Sequence, residues 1–285
     1  MIAAGGESCA DIERLRPQRD LFGEVCSDST LYCTMRKVDA AVLEDLREAI
    51  GCVRRDVWRR STRTTGTATI YLDIDASLTE IHSEGKEQAA PDYKGGYGYH
   101  PMFCFADATG EALSSLLRPG NAGSNTVADH VTVLDQAIAQ LPEEIAAGHH
   151  IGDDPSLDYR YFGFYSSEDG TPSELDLLMR SHAHVENHIG RLKDSGLTRF
   201  PFSNFQANSA WLALVCLSAD LVRWFQLLCV PGYWKQARPK ALRSGIFYAP
   251  GRLVSSARRK VVRILDAWPQ AEAILAAYRD IALLT

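Results

Sequence analysis

The sequence lacks a CxxC pair, and it lacks any Cys/His cluster at zinc-finger spacing. Its seven cysteines (Cys9, Cys26, Cys33, Cys52, Cys104, Cys216, Cys229) are odd in number and scattered, which argues against a disulfide scaffold. A reducing compartment fits them best. The opening MIAAGGESCADIERLRPQRD has no basic-then-apolar layout, so no secretory leader is expected from it. No apolar run of membrane length is free of charge. The most apolar stretch, residues 210–230, contains Asp220 and Arg223 and predicts a buried helix. Repeats and low-complexity tracts are also missing. What is present is an ordinary globular mixture of 285 residues, 46% hydrophobic and 23% charged. That excludes a disordered tail, a collagen or a coiled-coil rod. It implies one large domain or two small ones.

The net charge of −6 hides a split. Residues 180–285 carry 15 Lys and Arg against 6 Asp and Glu, a balance of +9, whereas residues 1–179 carry 15 against 30, a balance of −15. A basic carboxyl third on an acidic body points to a polyanion contact at that end. Solvated helix faces give the same charge count.

Hydrophobic spacing predicts a helix over residues 38–60, with Val42, Leu46, Ile50, Val53 and Val57 as its apolar stripe. Residues 67–75 alternate as a strand, with Ile70, Leu72 and Ile74 on one face and Tyr71, Asp73 and Asp75 on the other. Strands near 99–106 and 112–118 complete an antiparallel meander. A helix capped by Asn125 or Thr126 follows, running to about Leu141. After an irregular acidic stretch, Thr171, Pro172 and Glu174 start a helix that runs to about Ser195 and stops at Gly196. Residues 207–230 predict an apolar helix, residues 252–267 a basic helix, and Pro269 opens a last helix to about Leu284.

Two places could do chemistry. Asp73 and Asp75 project from one strand face beside Ser77, and carboxylates so placed suit Mg²⁺, which binds through one or two carboxylates plus waters and phosphate oxygens. A bare DxD is more often the solvated side of an edge strand. On the late helix, His182, Glu186, Ile189 and Lys193 share a stripe at steps of four, three and four. A surface helix shows such spacing too. His182 and His184, two apart, diverge on a helix and make poor zinc co-ligands.

Three long segments carry a resemblance: GGESCADIERLRPQRDLFGEVCSDST; YLDIDASLTEIHSEGKEQAAPDYKGGYGYHPMFCFADATGEALSSLLRPGNAGSNTVADH; and HAHVENHIGRLKDSGLTRFPFSNFQANSAWLALV. With the basic GRLVSSARRKVVRIL they cover most of the chain, and it resembles the DDE transposases of bacterial insertion sequences, in the branch numbered thirteen-eighty. The resemblance implies an α/β fold: a ribonuclease-H-like mixed sheet with flanking helices and a helical carboxyl end. It divides the chain into an amino-terminal helical segment (1–62), the ribonuclease-H-like core (63–200) and a basic helical carboxyl region (201–285). It implies Mg²⁺, with Mn²⁺ as substitute, held by Asp75 and Glu186, with Asp73 the alternative acid. Lys193 and Arg191 on the late helix, and Arg252, Arg258, Arg259, Lys260 and Arg263, are the implied DNA contacts. Implied as well are a homo-oligomer on transposon-end and target DNA, no membrane partner, and a cytoplasmic, nucleoid-associated location.

One part of the pattern is absent. The family's second Asp sits on a strand reading like VRADSAG, after the segment matched by GDDP; here HHIGDDPSLD runs directly into YRYFGFYSSEDGTPSELD. The strand of the second catalytic Asp is therefore expected to be missing, with the join near Ser156–Arg160 and an amino end that starts late. Asp153, Asp154 or Asp158 stand where a substitute would have to come from. Two function classes follow: a Mg²⁺-dependent enzyme of DNA cleavage and strand transfer, impaired by the loss, or a non-catalytic DNA-binding or subunit-poisoning remnant.

Overall fold

The computed structural model describes residues 1–61, 70–83, 85–123, 126–142, 170–171, 174, 184–256 and 259–284. The α-helices of eight or more residues among these are α1 (Asp28–Met35), α2 (Ala40–Arg60), α3 (Val127–Ile138), α4 (Val185–Asp194), α5 (Phe205–Leu228) and α6 (Ala271–Leu284). The strands are β1 (Leu72–Ala76), β2 (Thr79–Glu80), β3 (Ala90–Pro91), β4 (Tyr97–Tyr99), β5 (Met102–Ala106), β6 (Glu111–Leu116), β7 (Gly251–Ser256) and β8 (Arg259–Ile264). Among the described residues the main sheet is the antiparallel meander β1–β5–β6, the small sheet is β2–β4–β3, and β7–β8 is a separate ribbon. The architecture is mixed α/β.

The central strand decides where the core sits. Every residue of β5, MFCFA, is buried, so it contributes apolar side chains to both faces of the sheet. Phe103 and Phe105 enter one cluster with Ile189 and Leu192 of α4 and Leu212 and Val215 of α5. Met102, Cys104 and Ala106 enter the other, with Val57 and Trp58 of α2 and Val133 and Ala137 of α3. The expected face of β1 (Ile70, Leu72, Ile74) packs on this second cluster. Asp73 and Asp75 therefore point to the side covered by α4.

The helices begin at side-chain caps. The Asp39 carboxylate accepts from the Val42 N–H at 3.0 Å, and the Asn204 side chain accepts from the Ala207 N–H at 2.9 Å. Thr126 occupies the cap position of α3 without a side-chain bond, and Asn125 lies outside the described residues. The Thr171–Glu174 capping pair forms: the Thr171 N–H donates to Glu174 Oε2 at 2.9 Å, and the Glu174 N–H to Thr171 Oγ1 at 3.4 Å. Residues 62–69, Pro172, His182, the acids Asp153, Asp154 and Asp158, and the junction at 156–160 lie outside the described residues.

Two expectations need correction. Val42 and Val53 are 46% and 50% exposed; the buried face of α2 runs instead through Leu43, Gly51, Arg54, Val57 and Trp58. An arginine sits inward because buried acceptors meet it. Arg54 donates to Glu111 Oε1 at 3.1 Å, Gln140 Oε1 at 2.5 Å, the Ala112 carbonyl at 3.2 Å and Asp220 Oδ2 at 2.5 Å. Both indoles, Trp58 and Trp224, donate to Glu111 at 2.6 Å. The charged interruption of the apolar helix is thus a buried ion-pair centre, which is why α5 sits inside the core although its length and composition would suit a membrane.

The second correction is the carboxyl region. Residues 252–267 are not a helix: β7 and β8 form an antiparallel ribbon in the register Arg252↔Arg263, Leu253↔Val262 and Val254↔Val261. Apolar residues spaced for a helix over so short a segment also alternate as strands. The β-branched Val254, Val261, Val262 and Ile264 favour the strand.

Candidate functional site

The strand register builds the site. Asp73 stands opposite Phe105 and Asp75 opposite Phe103, so both acids share the face on which α4 packs through Ile189 and Leu192. Docking these apolar residues brings the polar residues of α4 over the two acids. Burial pushes the Asp75 carboxyl above its ordinary range. The Ala76 N–H, donating to Asp75 Oδ1 at 2.7 Å, pulls it back, and the nearby Glu186 carboxylate adds to the rise. Asp75 is half-buried, whereas Glu186, in the first turn of α4, is exposed. Acids from two different elements thus feel each other's charge here, and carboxylates are what a hard divalent cation accepts.

Beyond Asp75 the chain enters the wall of a cavity of about 570 Å³, lined by Ser77, Lys94, His100, Lys193 and Arg199 among others. Lys193 is exposed in it. The RPGNAG run holds His100 of this wall in place, its ring Nδ1 lying 3.0 Å from the Ala122 carbonyl. Buried Arg118 donates to the His100 carbonyl at 2.9 Å, to the Gly123 carbonyl at 2.9 Å and to Asp129 at 3.1 Å. Backbone packs directly on backbone here. A Cβ on Gly98 would lie 2.0 Å from the Thr79 carbonyl oxygen, and one on Gly120 would lie 2.2 Å from that of Ala90.

Asp73 belongs to a different grouping. Its carboxylate meets Asp107, in the turn after β5, and His188 of α4; one ligand atom from each lies within 4.8 Å of the others. His188 Nε2 is 3.7 Å from Asp107 Oδ1. Burial pushes the His188 imidazole below its ordinary value, and Asp107 pulls it partly back. Asp107 reads as an ordinary turn residue in sequence, so nothing local marks it. His188 had a usable signal: it stands four residues after His184, which puts both on one helical face, and both line a second cavity.

The basic candidates separate as well. The Arg191 guanidinium turns inward, to the Ala237 carbonyl at 3.2 Å and the Gln226 side chain. Arg252, Lys260 and Arg263 are exposed on the β7–β8 ribbon, with Lys260 Nζ 2.7 Å from Asp20 Oδ1. Arg259 lies in β8, and Arg258 lies outside the described residues.

A sequence profile of the transposase DDE domain, group 1, matches residues 1–151 and 158–285. The chain belongs to this transposase family. No curated protein and no solved structure matches it. Membership in the transposase DDE domain family carries a transposition function, makes DNA a partner, and brings the divalent-metal chemistry general to such domains. Within that family frame, the Asp75–Glu186 pair and the Asp73–Asp107–His188 cluster are the two places among the described residues where acidic side chains gather beneath α4.

Proposed function

We propose that the chain is an insertion-sequence transposase of the thirteen-eighty branch, built on a ribonuclease-H-like core and acting as a homo-oligomer on DNA. In this reading Asp75 and Glu186 hold Mg²⁺ or Mn²⁺ for strand cleavage and transfer, and the chain is catalytically impaired. The observation that carries it is that the Glu186 carboxylate is near enough to raise the Asp75 pKa, while the residues that follow Asp75, Ala76 and Ser77, line a cavity that also presents Lys193. The cation would supply charge neutralisation at the entering and leaving oxygens of an in-line displacement. The protein's own groups hold the DNA. Lys193, exposed in the cavity wall, offers a phosphate contact beside Asp75. On the ribbon, Arg252 and Arg263 stand directly opposite each other, a like-charge pair that is unfavourable until an anion lies across it. Lys260 is exposed on the same ribbon, and Arg258 and Arg259 neighbour it in sequence. Arg191 adds positive charge behind Lys193 rather than a direct phosphate contact.

In this reading impairment follows from the expected loss of the strand that carries the second Asp. The family match is interrupted at residues 152–157, beside the expected junction. One Asp/Glu pair can hold a single Mg²⁺, but a two-ion clamp needs a bridging acid. Losing about 4 kcal/mol of transition-state stabilisation lowers a rate roughly a thousandfold. The second reading, on the same expected loss, is a non-catalytic DNA-binding remnant that keeps the basic ribbon and poisons mixed assemblies.

The test is a strand-cleavage gel with Mg²⁺ or Mn²⁺ on the terminal repeats flanking the gene, beside Asp75→Ala and Glu186→Ala variants. The expected result is DNA binding with no cleavage above that of the variants. Cleavage that vanishes in both variants would overturn the impairment and assign the vacant role to Asp153, Asp154 or Asp158. Absence of any DNA binding would overturn the transposase reading itself.

A further inference from the structure

We infer that Asp73, Asp107 and His188 form a first-row transition-metal site distinct from the Asp75–Glu186 pair. The inference does not rest on the strand-transfer reading. His188 is 9% exposed, and neither of its ring nitrogens makes a hydrogen bond among the described residues. A buried imidazole ordinarily spends at least one nitrogen on a partner. Here Nε2 faces Asp107 Oδ1 at 3.7 Å, too far for a hydrogen bond. That separation suits two ligands of one ion, since N and O donors about 2.1 Å from a common centre stand roughly 3.4 Å apart at the tetrahedral angle. The Asp73 carboxylate completes a set of three whose ligand atoms lie within 4.8 Å of one another.

The donors come from three rigid places: strand β1, the turn closing β5, and helix α4. The fit around the imidazole is close. Gly110 has a φ of +70°, and a Cβ there would come within 3.0 Å of the His188 ring. The cluster also opens onto a cavity of about 500 Å³ lined by His184, Arg191 and Arg223, so an ion would have its remaining positions on the solvent side. Donor chemistry selects the ion. Two carboxylates alone suit Mg²⁺, whereas an imidazole in the set favours Zn²⁺, Fe²⁺, Co²⁺ or Ni²⁺.

The test is a Co²⁺ titration of the metal-stripped full-length chain. One equivalent should bind and give visible absorption bands. Zn²⁺ should displace it stoichiometrically, and a hundredfold excess of Mg²⁺ should not. His188→Gln and Asp107→Asn should each weaken Co²⁺ binding at least tenfold, while Glu186→Gln leaves it unchanged. Absence of stoichiometric Co²⁺ uptake, displacement by equimolar Mg²⁺, or loss in Glu186→Gln alone would overturn the assignment. If the substitutions unfold the chain, pulsed EPR of the wild type loaded with Cu²⁺ decides: imidazole nitrogen coupling supports the site, and its absence refutes it.

Discussion

Replacing Arg54 by Met keeps the side chain's length and removes its charge from the centre of the core. Arg54 is 1% exposed, and its guanidinium donates four hydrogen bonds, to Glu111, Gln140, Ala112 and Asp220. Breaking a buried ion pair by removing one partner costs about 3–5 kcal/mol, because the surviving charge is left without compensation. Two carboxylates survive here, but neither is stripped bare. Glu111 keeps both indole N–H donors, and Asp220 keeps the Ala112 N–H at 2.9 Å. Asp220 can also take up a proton, since burial pushes it up to about 7 against the pull of Arg54. The expected cost is therefore one broken pair, about 3–5 kcal/mol, and not two. Domains hold only about 5–15 kcal/mol in all. At roughly 2–4 °C per kcal/mol the melting temperature should fall by about 6–20 °C. Circular-dichroism melts and urea titrations at pH 7 measure it. A loss under about 1 kcal/mol with an unchanged urea slope would refute the claim that this guanidinium holds the core together.

The ribbon makes a second prediction: changing Arg252, Lys260 and Arg263 together to Ser should reduce the slope of log K against log salt for duplex DNA by about 2.7, since each neutralised phosphate contributes roughly 0.9. An unchanged slope in a filter-binding titration would place the DNA contacts elsewhere. The third concerns pH. Asp220 has its folded-state pKa raised to about 7 from an ordinary 3.8, so the stability it contributes is complete below about pH 4 and is lost as pH rises to 7. Asp220→Asn should remove that decline from a series of urea titrations, and a decline that persists would assign it to another group.

Much of the fold was legible because its periods are clean. The alternation through Ile70, Leu72 and Ile74 placed one face of β1 correctly, and the HPMFCFAD and ALSSLLR segments gave the other two strands of the meander. The stripe of α2 was misjudged because a rule that counts apolar residues cannot predict an inward arginine. Arg54 is buried only because Glu111, Gln140 and Asp220, from 57 to 166 residues away, arrive to meet it. The β7–β8 ribbon was misjudged because its period is ambiguous over twelve residues and β-branching had to break the tie. At the candidate site, the local patterns around Asp73, Asp75 and Glu186 suit surface positions equally well, and it was the family resemblance that singled out Asp75 and Glu186, with Asp73 as the alternative. Asp107 was not legible, since its meaning comes from a strand register and a helix crossing that no local window contains.

The Arg54 cluster draws on Arg54, Glu111 and Gln140 before residue 143 and on Trp224 and Asp220 after residue 184. The two sides of the chain are thus fastened to each other by the core and not by the connection between them. For a flexible connection, halving the length changes the closure entropy by only about 0.6 kcal/mol. A change in the length of that connection should therefore leave the core standing.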